Sequence, residues 1–451
     1  MEDKNTVYMS EKQKVKEITD KLEAGLKELF ESEKYKSYLS TMSKFHNYSF
    51  NNTLLIAMQK PEATLVAGYQ AWQKNFERHV NKGEKAIRIL APAPYKIKEE
   101  RDKLDPVTGE MMFDENGMPQ KEETEVTIPA FRAVSVFDVS QTDGKPIPEL
   151  EVNELLSTVE GYEDFVQALM NISPVPIAFE DIPGDSKGYF STAEKRIAVQ
   201  ENMSESQTLK TMVHEVAHSR LHDKEVNQSM DIPVKDRNTK EVEAESVAYT
   251  VCQYFGLDTS DYSFPYIAGW SSSMDMKELR SSMDTIRKTA GEMIDGMTEV
   301  MQRLMRERQE KEQAEELIRQ AAQIAPYVII DCTSNIASDI LSAVALMEAD
   351  TVLRLVGCDL KSISYLSSQL PMLSDHKWDA DKQLKVVSNI RKQDTGSHME
   401  QILGKVAFQI PYSSEVEAQF LEGELLGELG LKESRAFRRE IEIISREVFG
   451  V

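Results

Sequence analysis

Two short stretches in the middle of the chain constrain its fold more than any other part of the sequence. The first holds His214, Glu215 and His218 in an H-E-x-x-H pattern. Residues four apart lie on one face of an α-helix, so both imidazoles can reach one point beside that helix. The second stretch places Glu241 and Glu245 four apart in the same way. The spacing therefore predicts two neighbouring helices that share a cluster of polar side chains.

This cluster fits a zinc ion. Two neutral imidazole nitrogens and one carboxylate, with a fourth position left to water, form a common Zn²⁺ site. Glu215 follows His214 directly and can take the proton from that water, which is the general-base role of this glutamate in metalloprotease helices. We favour Glu241 as the third ligand, with Glu245 holding a histidine from behind. The reverse assignment of the two glutamates stays open.

Two neighbouring side chains are expected to lie outside the metal site. His222 comes eight residues after His214, about 12 Å along an unbroken helix, so we expect it to cap the helix or to pack behind the ligands. Glu243 is rotated away from the other two glutamates, and we expect it to be solvated. A chance H-E-x-x-H on a charged helix is disfavoured, because apolar residues at 209, 212, 213, 216 and 217 would bury the histidines.

Charge is distributed unevenly along the chain. The formal net charge is −23, yet residues 34–98 contain eleven lysines and arginines and only three acids. A basic island in an acidic chain predicts a polyanion as partner, and a solvated basic face without a ligand is the alternative. Around this island we expect a turn at 82–85 that leads into a strand at 86–90, and a second strand at 130–139. Residues 97–126 favour a long hairpin or an inserted loop.

The first third of the chain resembles the N-terminal domain of ArdC-type antirestriction proteins. Four runs carry the resemblance: Ser49-Phe50-Asn51-Asn52, Gly68-Tyr69-x-x-Trp72, Val80-Asn81-Lys82-Gly83-Glu84-Lys85 and Val136-Phe137-Asp138-Val139-Ser140-Gln141-Thr142. In that family such a domain precedes a zinc-metallopeptidase-like domain, and the same order is found here. The resemblance covers about 31–270 and implies single-stranded DNA binding. Residues 214–256 also resemble the ImmA/IrrE group of metallopeptidases.

The residues of the basic island agree with that implication. Lysines and arginines can follow a phosphate backbone, and aromatic rings can stack with bases. The candidate DNA-binding residues are Lys74, Arg78, Lys82, Lys85 and Arg88, with Tyr69 and Trp72 as stacking platforms. For the two aromatic residues, a place in the core is the competing interpretation. Composition alone fits duplex DNA equally well.

We predict an α+β fold with four parts. These are an N-terminal α+β nucleic-acid-binding domain at 1–148, a zincin-like α+β metallopeptidase domain at 149–272, a long helical segment at 273–325, and a mostly helical C-terminal module at 326–451. In the second part, 175–180 should form a strand and 188–199 a hairpin just before the H-E-x-x-H helix. Its exposed edge could hold an extended peptide by β-addition.

Cysteine spacing and hydropathy indicate the compartment. The three cysteines have no paired spacing, the N-terminus is polar, and no apolar run is long enough for a bilayer. We therefore expect a cytoplasmic protein without a membrane partner.

Three functions are compatible with these features. The leading one is a mobile-element protein, active in antirestriction during conjugation, that binds single-stranded DNA and carries a zinc peptidase-like site for a protein or peptide substrate. The second is a regulatory, ImmA-like peptidase that cleaves a repressor. The third is a non-catalytic DNA-binding module in which zinc is structural. Retention of Glu215 beside an open metal position favours the first two.

Overall fold

The structure is a computed structural model of the 451-residue chain. The ranges that it describes are 10–103, 111–113, 117–147, 159–223, 235–262, 264–332, 339–358, 361–362, 364–365, 368, 382–391, 404–423 and 428–450. Two compact units are present, Met1–Gln302 and Arg303–Val451, and both mix helices with strands in an α+β fold. The four-part division stays a prediction, and its first boundary at 148/149 lies outside the described residues.

Three helices open the first unit: α1 (Glu11–Leu29), α2 (Ser32–Lys44) and α3 (Phe50–Gln59). Ser10 begins α1 with a capping box, and Ser49 accepts a hydrogen bond from the Asn52 amide at the start of α3. One apolar stripe of α1 faces the core, where Leu22 and Leu26 are buried. These caps and stripes explain why the segments are helical and which face each one buries.

A small antiparallel sheet follows, with the order β1 (Val66–Gly68), β6 (Phe131–Asp138), β3 (Ile87–Pro92). Helix α4 (Tyr69–Phe76) comes directly after β1, and β2 (Arg78–Val80) pairs with β7 (Thr142–Gly144). Asn52 exchanges two hydrogen bonds of 2.9 Å with the backbone of Leu90 on β3. An α3 amide therefore satisfies backbone groups at the outer edge of this sheet. The expected strands at 86–90 and 130–139 are confirmed.

The charged stretch after β3 contains an antiparallel pair, β4 (Tyr95–Asp102) with β5 (Lys121–Ile128). Lys96 pairs with Glu125 and Lys98 with Glu123 across the two strands. These cross-strand ion pairs explain why so charged a segment can still form a ladder. Of the two predicted forms, the hairpin is the one found.

The rest of the first unit builds on α5 (Val159–Ile172) and a three-stranded sheet with the order β8 (Ile177–Glu180), β10 (Arg196–Gln200), β9 (Gly188–Ser191). β9 and β10 form the expected antiparallel hairpin, and β8 runs parallel to β10. Four helices follow: α6 (Glu205–Leu221), α7 (Arg237–Tyr254), α8 (Ile267–Ser272) and the long α9 (Met276–Ile324), which begins in the first unit and ends in the second.

Helix α2 packs directly on α7. The Tyr35 hydroxyl lies 2.8 Å from Ser246 Oγ, and Lys36 Nζ donates to the Tyr262 carbonyl at 3.2 Å. Phe30, between α1 and α2, meets Trp270 of α8 edge to face with ring centroids 5.8 Å apart. The first helices of the chain therefore share one core with the helices that carry the H-E-x-x-H motif and the later glutamates.

The second unit contains a sheet in addition to the helices predicted for this module. Strands β11 (Val352–Gly357), β12 (Gln383–Ile390) and β13 (Phe408–Pro411) form a parallel sheet. Helices α10 (Ile340–Glu348), α11 (Ser414–Glu422) and α12 (Lys432–Phe449) accompany it. Short apolar runs buried on both faces have no period that separates strand from helix, which is why the sequence did not indicate this sheet. Among the described residues, no helix has both the length and the hydropathy of a membrane span.

Candidate metal centre and basic surface

Helix α6 carries the H-E-x-x-H motif and is anchored at both ends. Ser204 caps its start by accepting from the Gln207 amide, and the backbone N–H of His222 donates to the His218 carbonyl at its end. Val213, Val216 and the other apolar residues predicted for this helix are buried. Packing of this face against the core sets the rotation of the helix and so aims the histidines to one side.

The two histidines converge on one point. His214 Nε2 and His218 Nε2 are 3.0 Å apart, and Glu241 Oε2 lies 3.8 Å from the first nitrogen and 3.5 Å from the second. One ligand atom from each of these three residues lies within 4.8 Å of the other two. Two imidazole nitrogens and one carboxylate oxygen are a donor set that suits a divalent metal ion, with room for a further ligand.

The two α7 glutamates take different positions. Glu241 is beside both Nε2 atoms, and its interaction with His218 lowers the pKa of its carboxyl group. Glu245 Oε2 lies 3.1 Å from His214 Nδ1, the nitrogen on the far side of the ring. An Nδ1–H donated to Glu245 leaves the Nε2 lone pair of His214 available for a metal. The geometry therefore favours Glu241 as the ligand and Glu245 as the support behind His214.

Glu215 sits between the helix and strand β9. It is 8% exposed, and burial raises the pKa of its carboxyl group, against the effect of the neighbouring imidazoles. The backbone N–H of Phe190 on β9 lies on the same side as this carboxylate and partly offsets the rise in its pKa. A carboxyl group with a raised pKa is better suited to accept and return a proton near neutral pH than an ordinary glutamate.

Strand β9 approaches α6 closely enough that one position excludes a side chain. A Cβ built on Gly188 would lie 2.6 Å from Thr211 Cγ2, 3.0 Å from the Ala198 carbonyl and 3.3 Å from Glu215 Cγ. The glycine therefore permits the contact between the strand and the side of the helix that carries Glu215. Sequence reasoning missed Gly188 and Phe190, since only the folded chain shows which hairpin residues meet the helix.

The expectation for Glu243 was wrong. Its side chain is completely buried, not solvated, and Oε2 lies 3.2 Å from His222 Nε2. Lys235 Nζ binds both carboxylate oxygens, at 2.6 and 2.8 Å, and the Ser282 hydroxyl donates to Oε1. The α7 face opposite Glu241 is covered by α9 and the end of α6, so the residue that points away from the metal points into the core. His222 packs behind the ligands, as expected.

Most of the predicted DNA-binding residues are exposed. The side chains of Lys74, Lys82, Lys85 and Arg88 are open to solvent, and none takes part in an ion pair among the described residues. Tyr69 is 51% exposed and meets Phe137 edge to face. Four cations and one accessible ring thus remain candidates for a nucleic-acid surface.

Two predicted DNA-binding residues have structural roles instead. Trp72 is completely buried, and its indole N–H donates to the Phe137 carbonyl at 2.9 Å. A buried ring offers no face to a base, so the core interpretation is the correct one. The Arg78 guanidinium donates to Thr142 Oγ1 and to the carbonyls of Thr142, Gly144 and Lys145. It fastens β2 to β7, and four of its five N–H groups are already engaged in hydrogen bonds within the protein.

Two regions of the chain match known protein families. Residues 10–137 match the N-terminal domain of anti-restriction factor ArdC, and residues 171–252 match an IrrE N-terminal-like domain. An uncharacterized protein of Bacillus anthracis is 28% identical over 321 residues, which are 66% of this chain and 54% of the relative. The chain thus spans about half the length of that relative.

Similar solved structures include two of the antirestriction protein ArdC from a plasmid. The metal-free structure is 19% identical with a TM-score of 0.34, and it covers 57% of this chain and 86% of that one. The Mn(II)-bound structure is 17% identical with a TM-score of 0.33, and it covers 56% and 85%.

Proposed function

We propose that this chain, which is ArdC-like in carrying an ArdC-type N-terminal domain followed by an IrrE-like domain, is an antirestriction protein that binds single-stranded DNA and holds Zn²⁺ in a peptidase-like site. The observation that carries the proposal is the meeting of His214 Nε2, His218 Nε2 and Glu241 Oε2 beside the buried Glu215. Two imidazole nitrogens that face one carboxylate oxygen, with a buried carboxyl group beside them, are the donor set and the general base that a hydrolytic zinc site uses.

The chain's own groups divide the work of hydrolysis at such a site. A bound Zn²⁺ would polarise a carbonyl and acidify a water. Glu215 would accept the proton of that water and return it to the leaving amine, and the Phe190 N–H partly offsets the rise in its pKa. Strand β9 is at the edge of its sheet, where an extended peptide could add as a further strand. A peptide is therefore the substrate that we propose.

DNA binding would reside on the exposed cations before and within β3. Lys82 and Lys85 lie in the turn before β3, and Arg88 is on the strand itself. Their charges could follow a phosphate backbone, with the exposed Tyr69 as the stacking ring. Because Trp72 and Arg78 have structural roles, the proposed DNA-binding surface consists of these four residues, with Lys74 of α4 as a fifth.

The experiment measures metal content and single-stranded DNA affinity on the same purified protein over a salt series. We expect one zinc per chain and an affinity that falls steeply with salt. Lys85→Glu should weaken binding and reduce the salt slope by about 0.7 or more, whereas Lys277→Glu, an equal charge change at an exposed site at the start of α9, should not. Protein that takes up no zinc when zinc is supplied would contradict the metal assignment.

Glu215→Gln separates the possible uses of the site. The variant should keep its zinc and its DNA affinity and lose peptide hydrolysis. If protection of DNA from restriction persists in this variant, hydrolysis is not needed for antirestriction. If protection is lost together with hydrolysis, the peptidase and the antirestriction function are one. A regulatory peptidase that cleaves a repressor would instead show hydrolysis without protection of DNA.

A further inference from the structure

A chain of buried hydrogen bonds leads away from the back of His218. His218 Nδ1 lies 3.0 Å from His222 Nδ1, and the other nitrogen of His222 lies 3.2 Å from Glu243 Oε2. Lys235 and Ser282 then complete the shell of the carboxylate. These hydrogen bonds connect the end of α6 to Glu243 on α7, to Ser282 on α9, and to Lys235, which directly precedes the N-cap of α7.

Only one set of tautomers satisfies every contact in this chain. If His218 keeps its Nε2 lone pair for an ion, its proton is on Nδ1 and is donated to His222 Nδ1. His222 then accepts on Nδ1 and carries its own proton on Nε2, which it donates to Glu243. The carboxylate at the end thus determines, through His222, which nitrogen of His218 is free.

Glu243, the last group in this series of hydrogen bonds, is surrounded by donors that favour its charged form. Glu243 is completely buried, a position that disfavours a carboxylate unless it is paired and fully hydrogen-bonded. Lys235 contacts both of its oxygens, and the His222 N–H and the Ser282 hydroxyl supply two more donors. An ionised acceptor at this end fixes the direction of every hydrogen bond toward His218.

The other histidine of the motif is supported differently. His214 Nδ1 contacts Glu245, whose side chain is 36% exposed, so this histidine has one half-exposed partner. His218 has a buried partner, His222, and that partner is itself held by the completely buried Glu243. The asymmetry indicates that His218 is the more rigidly oriented ligand.

We propose that His222 and Glu243 are positioning residues that fix His218 with its Nε2 toward the metal, and that Lys235 and Ser282 hold Glu243 for this task. The inference rests on the proposed metal site. It adds to that site a support made of residues that would contact neither metal nor substrate. Partners of this kind, when removed, typically reduce metal affinity about 10- to 100-fold.

The test compares zinc affinity, by competition with a chromophoric chelator, in the wild-type protein and in His222→Leu and His222→Gln. Leucine removes the acceptor for His218 Nδ1–H, and we expect about a 10- to 100-fold weaker affinity. Glutamine keeps an acceptor oxygen near the same place and should recover part of this loss. The visible absorption of Co²⁺ bound in place of zinc should shift in His222→Leu, because the ligand field changes when His218 is free to turn.

Glu243→Gln provides a second variant that keeps the shape of the buried side chain, and it should weaken zinc binding in the same direction. Asp138→Asn is its matched control, since Asp138 is also buried and accepts four hydrogen bonds, but in the N-terminal sheet. The control should lose stability and keep its zinc affinity. Wild-type affinity and an unchanged Co²⁺ spectrum in His222→Leu and Glu243→Gln would overturn the inference. Wild-type protein that binds neither ion would instead overturn the proposed function.

Discussion

Gly188→Ala tests whether strand β9 must touch the helix that carries the metal-site motif. The added methyl carbon would lie 2.6 Å from Thr211 Cγ2 and 3.0 Å from the Ala198 carbonyl. Carbon atoms prefer a separation of about 3.5–4.0 Å, so the strand and the helix would have to separate by roughly 1 Å. Overpacking of this kind costs about 1–3 kcal/mol, which urea unfolding followed by circular dichroism would measure as a lower midpoint.

The same separation would also disturb Glu215. Its Cγ would lie 3.3 Å from the added methyl carbon, and the N–H of Phe190, two residues along β9, influences its carboxyl group. We therefore expect Gly188→Ala to lower the rate of peptide hydrolysis more than it lowers zinc affinity, because the three atoms nearest the added carbon include one of Glu215 and none of the proposed metal ligands.

Two further variants isolate the steric cause. Thr211→Ser removes the nearest methyl and keeps the hydroxyl that accepts from Gln207, so combining it with Gly188→Ala should restore part of the lost stability. Gly269→Ala, at an exposed position inside α8, adds the same methyl where nothing lies within 4 Å, and it should leave the midpoint unchanged or slightly raised. The reasoning fails if Gly188→Ala unfolds at the wild-type urea concentration.

Three other predictions follow from the N-terminal region. Asp138→Asn should lower the free energy of unfolding by about 1–3 kcal/mol at pH 7. Burial raises the pKa of Asp138, but four hydrogen bonds to its carboxylate outweigh burial and hold the pKa below its usual value. The stability that Asp138 contributes is therefore present above about pH 4 and is lost on acidification. The urea midpoints of the two proteins should therefore approach each other as the pH falls below about 4, and a constant gap would contradict the assignment. Tyr69→Ala should weaken single-stranded DNA binding by about 1–3 kcal/mol in a fluorescence titration without lowering the unfolding temperature, whereas Trp72→Ala should lower that temperature. Arg78→Lys should destabilise the protein in thermal unfolding, because an ammonium group cannot reproduce the guanidinium contacts to β7; equal stability would show that those contacts contribute little.

Sequence periodicity located the main elements around the site because each has a strong local signal. Four-residue spacing placed the two histidines together, and alternation with turn residues located the β9–β10 hairpin. Glu243 was wrongly expected to be solvated because the prediction considered only that it points away from Glu241 and Glu245 on α7. The opposite face of that helix is covered by α9, whose first turns come some 40 residues later in the chain, and no local pattern shows such a contact.

Residue type alone also failed to separate surface from core in the basic island. Lys85 and Arg78 are both cations near the same strands, yet one extends into solvent and the other is fastened to β7. Tyr69 and Trp72 are three residues apart on α4, and only the tertiary packing decides that the tryptophan faces inward. Hydrogen-bond partners contributed by distant strands are the information that the sequence pattern lacks.

The packing of α2 on α7 has a consequence for how this protein can be dissected. A fragment that begins at residue 149 would lose Tyr35 and leave the buried Ser246 side of α7 open to water. A fragment that ends at 148 would keep α2 and expose the aromatic surface that Trp270 covers. Truncation at the boundary between the two matched regions should therefore yield aggregated halves. DNA binding and metal binding have to be separated by point substitution in the whole chain, because neither half carries a complete core of its own.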